Sequence, residues 1–213
     1  MIMDEALLQR ITDRVMERLA EKLSKPSVEI EASGRHVHLT TQAVDALFGP
    51  GYKLTKVADL SQPGQFTCEE RIAVIGTKAT LNNVIVLGPE RRQTQVEVSR
   101  TDAVTLGVKA PVRLSGDLAG TPGIRLAGPR GELLIDAGVI VAMRHVHMTP
   151  QDAVRFGFRN GQIVSVGLPG ERGATLHEFK LRVTPESTTY AHIDYDEANA
   201  CGFYKGMRGE IIT

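Results

Sequence analysis

Four of the six histidines stand in two copies of one short motif. Arg35-His36-Val37-His38-Leu39-Thr40-Thr41-Gln42 recurs 109 residues later, counted from His36 to His145, as Arg144-His145-Val146-His147-Met148-Thr149-Pro150-Gln151. Alternate residues of a strand share a face, so each pair presents two imidazoles side by side with Cα atoms about 6.5 Å apart, a spacing that suits one shared metal ion. A single His-x-His pair would read as polar decoration on an exposed strand. Two copies in matching contexts point to metal chemistry.

His192, in His192-Ile193-Asp194-Tyr195-Asp196-Glu197, offers a further imidazole, whereas His177 beside Glu178 reads as surface. Glu97, between Val96 and Val98, is either a carboxylate ligand or an outward residue of an alternating strand. Neutral imidazole with carboxylate suits Zn²⁺, and three protein ligands leave a position for water or substrate. A cupin would carry a glutamate three or four residues after its second histidine; Thr41 and Gln42 stand there, and Pro150 and Gln151 in the second copy. The turn Gly88-Pro89-Glu90-Arg91-Arg92 offers two guanidinium groups either to an anion or to solvent. Cys68 and Cys201 have no local histidine partner and read as inert thiols.

These residues need strands to hold them, and the chain supplies many. Short β-branched runs at Val28–Ile30, Arg71–Ile75, Asn83–Leu87, Gln95–Val98, Val112–Leu114, Leu133–Ala142, Ile163–Val166 and Glu178–Val183 are punctuated by Gly and Pro. Between them the pattern predicts brief helices at Thr41–Phe48, Arg100–Leu106, Pro150–Phe156 and Asp196–Ala200, caps on barrel ends rather than helical layers. A second echo relates Thr101–Gly107 to Gln151–Gly157, so helix cap, glycine turn and strand recur as a unit. The fold class is therefore mainly β, two related β-barrel domains capped by short helices. The domains are placed at residues 28–125 and 126–213, with the boundary in the Gly- and Pro-rich stretch Ala119–Gly131.

Residues 1–27 differ. Leu8, Ile11, Val15, Leu19 and Leu23 form one apolar stripe among charged residues, and Ser24-Lys25-Pro26-Ser27 ends the helix. Such a helix is a packed terminus, a dimerisation helix or a tag for a partner.

With 213 residues, 42% of them hydrophobic, the chain can bury a core. Lys plus Arg and Asp plus Glu both number 25, so no basic footprint for nucleic acid or anionic lipid is present. No apolar run reaches the roughly 20 residues that cross a bilayer. Two cysteines make no disulfide framework, no secretory signal is visible, and the expectation is a cytosolic protein.

The motifs Ser33–Leu39, Gly88–Arg91, Thr94–Ser99, Met143–Met148 and His192–Ala200 together resemble the phosphate propanoyltransferases of propanediol-using bacterial microcompartments, from about Val28 to the C-terminus. The resemblance implies paired β-barrels with a two-metal site between them. It implies that His36, His38 and Glu97 hold one zinc and His145, His147 and His192 a second. It further implies that Arg91 clamps phosphate with Ser115 assisting, that Ser33 and Asn199 contact coenzyme A, and that the enzyme exchanges acyl-CoA and phosphate for acyl phosphate and CoA, with short acyl groups such as propanoyl or acetyl. Residues 1–27 then have the form of an encapsulation tag that meets shell or core proteins inside a microcompartment; a homo-oligomer is compatible with it. Two rivals remain: a zinc-dependent acyl-CoA hydrolase, and a non-enzymatic barrel in which zinc is structural.

Overall fold

The computed structural model describes residues 5–213, and within the first helix the side chains of residues 7–16. In chain order these residues form α1 (Glu5–Ser24), β1 (Ser27–Ser33), β2 (His36–His38), α2 (Thr41–Phe48), β3 (Lys56–Asp59), β4 (Phe66–Ile75), β5 (Thr80–Gly88), β6 (Gln95–Val98), α3 (Arg100–Leu106), β7 (Val112–Arg113), β8 (Ile124–Ala127), β9 (Glu132–Ile135), β10 (Val139–Ala142), β11 (His145–Met148), α4 (Pro150–Phe156), β12 (Ile163–Leu168), β13 (Ala174–Val183), β14 (Tyr190–Asp194), α5 (Tyr195–Cys201) and β15 (Arg208–Ile212). The chain is mainly β, as its turn-punctuated runs predict.

Two sheets result. One is a closed barrel in the order β1-β14-β11-β13-β12-β15; the other is a curled sheet in the order β7-β10-β6-β2-β5-β4-β8-β9, with β3 added on β4. The contiguous split at residues 28–125 and 126–213 does not follow these sheets. β1 pairs with β14 and β15 inside the closed barrel, and β10 pairs with β6 and β7 in the other sheet. Strand exchange at both ends of the first unit reflects long-range pairing, which a strand's own residues do not encode. The expected single run Leu133–Ala142 is two strands, because the chain turns at Asp136–Gly138, where Gly138 adopts φ 132°.

The duplication read from the histidine motif is visible in the ladders. β2 lies antiparallel to β6 and parallel to β5, and β11 lies antiparallel to β14 and parallel to β13. Each copy continues into a helix whose N-cap threonine, Thr40 or Thr149, accepts from the backbone N–H three residues on. α3 and α5 each begin with a capping box, Ser99 with Asp102 and Asp194 with Glu197, and end on a left-handed glycine. The shorter echo between residues 101–107 and 151–157 therefore joins α3 to α4, helices that occupy non-equivalent places in the two units.

Each sheet encloses its own core. Val37, Leu39, Leu47, Val86, Val96, Leu106 and Leu126 pack in the first; Ile30, Val146, Met148, Phe179, Leu181 and Met207 pack in the second. Phe179 has no exposed surface. Phe179→Ala is expected to cost about 3–5 kcal/mol through lost burial and the cavity left behind. Urea unfolding measures it, and a loss below about 1 kcal/mol would place the barrel core elsewhere.

α1 is helical as its periodicity predicts and ends where the Pro26 signal falls. Leu7, Leu8, Ile11, Val15 and Met16 are all exposed, which removes the packed-terminus reading for this stretch. The side chains of Leu19 and Leu23, and residues 1–4 of the expected tag, lie outside the described residues. Among the described residues no helix is long and apolar enough to cross a membrane.

Candidate functional site

The two histidine strands face one cavity of about 920 Å³ between the sheets. Strand register explains what joins them there. In the first unit His36 is paired across the ladder with Glu97 and His38 with Gln95. In the second, His145 is paired with His192 and His147 with Tyr190. Glu97 and His192 thus occupy equivalent ladder positions, and each supplies a third ligand-type group beside its own His-x-His pair. The candidate ligand atoms of His36, His38 and Glu97 all lie within 4.8 Å of one another, as do those of His145, His147 and His192.

Glu97 is 7% exposed, so the outward-facing alternative for this strand is overturned; all four residues of β6 are buried. Its carboxylate lies 3.5 Å from His36 Nε2, and it accepts a hydrogen bond from the Gln95 amide. Burial alone would raise the Glu97 pKa, but the neighbouring His36 and His38 outweigh it and hold the carboxyl ionised, well below the usual range. For His36 burial works downward, and Glu97 outweighs it to leave the ring above its ordinary value. Burial and the His36 charge push His38 down to about 2. Burial likewise lowers His145 and His192, and with the charge of His145 brings His147 to about 3. The second set is therefore three neutral imidazoles with lone pairs available to a cation.

The ring nitrogens fit such a cation. His36 Nδ1–H donates to Gly34 O at 2.8 Å and His145 Nδ1–H donates to Met143 O at 2.8 Å, so neither Nε2 is taken up by a backbone bond, and that of His36 faces the Glu97 carboxylate at 3.5 Å. Among the described residues His192 Nε2 and His38 Nδ1 are buried without a hydrogen-bond partner; a bound ion would remove that cost at His192 Nε2, whereas the His38 nitrogen nearest Glu97, at 4.0 Å, is Nε2. The donor set of three groups around each position, imidazole and carboxylate without thiolate, suits zinc.

Two guanidinium groups flank the clusters. Arg91 Nη1 donates to Ser115 Oγ at 3.0 Å and Nη2 to Gln65 Oε1 at 3.1 Å, so the side chain is clamped at the cavity wall. Arg182, on β13 beside His147, also lines the cavity. Burial lowers both pKa values from the ordinary arginine value, with Glu97 opposing the change, yet a guanidinium keeps its charge.

A phosphate propanoyltransferase family profile matches residues 29–204. The chain belongs to that family. It is 54% identical over 202 residues to the phosphate propanoyltransferase of Listeria monocytogenes, covering 95% of each chain. It is 52% identical to that of Enterococcus faecalis, over 96% of this chain and 97% of the relative. To the Salmonella typhimurium phosphate propanoyltransferase it is 44% identical over 94% and 93%. The histidine clusters thus sit in a phosphate acyltransferase.

Of the residues singled out in the sequence, the cavity brings together His36, His38, Glu97, His145, His147, His192, Arg91, Ser115 and Ser33. Asn199 is exposed on α5 and is not part of the cavity lining. Cys68 and Cys201 are buried, and burial raises both thiols, Cys68 to about 11, in agreement with inert roles. Sequence reasoning missed Gln95, 1% exposed, whose amide bridges Glu97 and Ser115. It also missed Arg182 and Glu31. The alternation of β1 could have flagged Glu31, because Val28 and Ile30 take the core face and leave Glu29 and Glu31 on the other.

Proposed function

We propose that this phosphate acyltransferase converts a short acyl-CoA and phosphate to acyl phosphate and CoA, reversibly, at a site that holds two zinc ions. His36, His38 and Glu97 would hold one, and His145, His147 and His192 the other. The observation that carries the reading is the convergence of two three-ligand sets and two arginines on one cavity. Zinc bound there would supply Lewis acidity toward a carbonyl or phosphate oxygen.

The chain's own groups account for the rest. Arg91, fixed by Ser115 and Gln65, and Arg182 present planar donors to a phosphate dianion, concentrating it and setting its orientation. A phosphate oxygen then attacks the thioester carbonyl carbon, the C–S bond breaks, and the CoA thiolate leaves. Direct displacement needs no enzyme nucleophile, in keeping with the buried thiols. Ser33, at the cavity edge, is our candidate CoA contact. Asn199 is a weaker candidate from its position and would reach CoA only outside the cavity wall. The assay is thiol release from propanoyl-CoA or acetyl-CoA with and without phosphate. Release that requires phosphate supports the transferase; phosphate-independent release of free acid identifies a hydrolase. Pocket differences of one methylene are worth about 1 kcal/mol, so both substrates should turn over.

We also assign the exposed stripe of α1 to an encapsulation role, recruiting shell or core proteins of a microcompartment. It supports this reading that the described apolar side chains of the helix, Leu7, Leu8, Ile11, Val15 and Met16, are exposed and that the helix joins the barrel through Lys25-Pro26. Deleting residues 1–24 is expected to leave phosphate-dependent turnover within about twofold, because the barrel begins at Ser27. The same deletion should abolish co-sedimentation with shells, measured by density-gradient fractionation of cells. Unchanged co-sedimentation would remove the tag.

A further inference from the structure

We infer that Glu31 is a positioning residue for His192, fixing the imidazole that completes the second ligand set. The inference rests on the metal reading proposed above and concerns a residue outside both sets.

Register places the two side by side. Glu31 is the Cα partner of His192 in the parallel β1–β14 ladder, on the β1 face turned away from the barrel core and toward the cavity. Glu31 Oε2 accepts a hydrogen bond from Ser61 Oγ at 2.6 Å, and the same oxygen lies 3.7 Å from His192 Nδ1. Ser61 belongs to the loop between β3 and β4, so the first unit holds the carboxylate that faces a ligand of the second. The next residue of that loop strengthens the clasp: Gln62 Nε2 donates to Thr188 O and Gln62 Oε1 accepts from Thr188 N.

The duplication supplies the control. At the equivalent ladder position of the first unit, Ile140 of β10 is the partner of Glu97. Where the third group is a carboxylate, its neighbour is apolar. Where the third group is an imidazole, with a second ring nitrogen to satisfy, its neighbour is a carboxylate. His145 already gives its Nδ1–H to a backbone carbonyl; for His192 the acceptor on that side is Glu31. A distance of 3.7 Å is longer than a hydrogen bond, and a side-chain shift of under about 1 Å would close it. With Nδ1 carrying the proton, the lone pair falls on Nε2, which is buried without a hydrogen-bond partner among the described residues and is available to the set it forms with His145 and His147.

The test uses the full chain, stripped with chelator, as wild type, Glu31→Ala, Glu31→Gln and Ser61→Ala. Zn²⁺ is titrated in competition with a chromophoric chelator, and the His192 tautomer is read by long-range ¹H–¹⁵N correlation in the metal-free protein, assigned with His192→Gln. Wild type should bind two equivalents and show the Nδ1–H tautomer. Glu31→Ala should keep the first equivalent, weaken the second by about 10–100-fold and mix the tautomers. Glu31→Gln, whose amide oxygen still accepts, should fall between, and Ser61→Ala should shift in the same direction by less. Wild-type titration and an unchanged tautomer in both Glu31 variants would overturn the inference; should Glu31→Ala fail to fold, Glu31→Gln decides by the same criteria. If wild type binds fewer than two equivalents, the metal reading fails instead, and the tautomer alone then judges Glu31: a mixed population in the variants upholds the positioning role, and no change ends it.

Discussion

Glu97→Ala is expected to lower phosphate-dependent thiol release by at least about 10³-fold and to reduce bound zinc from two equivalents to one. Glu97 is the sole carboxylate in either ligand set, and it is the counter-charge felt by His36, Arg91 and Arg182. Removing it deletes a proposed ligand and leaves the Gln95 amide, buried beside it, without an acceptor on that side. Both consequences act at one place, so the effect should far exceed that of a neighbouring surface change. Glu97→Gln keeps the shape and removes the charge, and should lose nearly as much activity while unfolding at close to the wild-type temperature. Zinc content by elemental analysis, beside steady-state rates, checks the pair. Two equivalents retained in Glu97→Ala, with turnover reduced less than tenfold, would remove Glu97 from the site.

Arg91→Ala should cost about 10²–10³-fold in kcat/KM for phosphate. The guanidinium is held from two sides, by Ser115 and Gln65, so its orientation is fixed before substrate arrives. Arg91→Lys should recover little, because an ammonium cannot offer two parallel donors or span both tethers. Ser115→Ala removes only one tether and should cost about tenfold or less. The readout is the phosphate dependence of initial rate at saturating propanoyl-CoA. A rise in KM for propanoyl-CoA with phosphate unaffected would instead place Arg91 on the CoA path.

Much of this site was legible in the sequence because the duplicated motif encodes a local geometry. His-x-His on a strand fixes two side chains on one face whatever the rest of the chain does, and both pairs stand where that rule puts them. The brief helices were legible for the same reason, since caps and glycines act within a few residues. Third ligands were not readable from spacing. Glu97 and His192 lie 61 and 47 residues from their first histidines by their numbering, brought there by antiparallel pairing that the strand residues do not announce. The residues offered both as candidates, resemblance to a known family assigned each to its pair, and strand register explains why the two are equivalent.

The domain split shows the other limit. β1 reads as the first strand of the first unit, yet its partners are Tyr190–Asp194 and Arg208–Glu210. This crossing carries Ser33 and Glu31 of the closed barrel to the edge of a cavity whose other wall belongs to the curled sheet. Arg182 was hidden likewise. It is one charged residue in the strand Ala174–Val183, and only the parallel pairing with β11 sets it beside His147.

The central claim is that acyl transfer to phosphate depends on two metal ions held by the paired ligand sets. Zinc titration of chelator-stripped protein, with thiol release from propanoyl-CoA followed in the presence of phosphate, tests it most directly. The account predicts negligible turnover without metal, full turnover at two equivalents and a far-UV circular dichroism spectrum unchanged throughout. Full phosphate-dependent turnover in the stripped protein would contradict it.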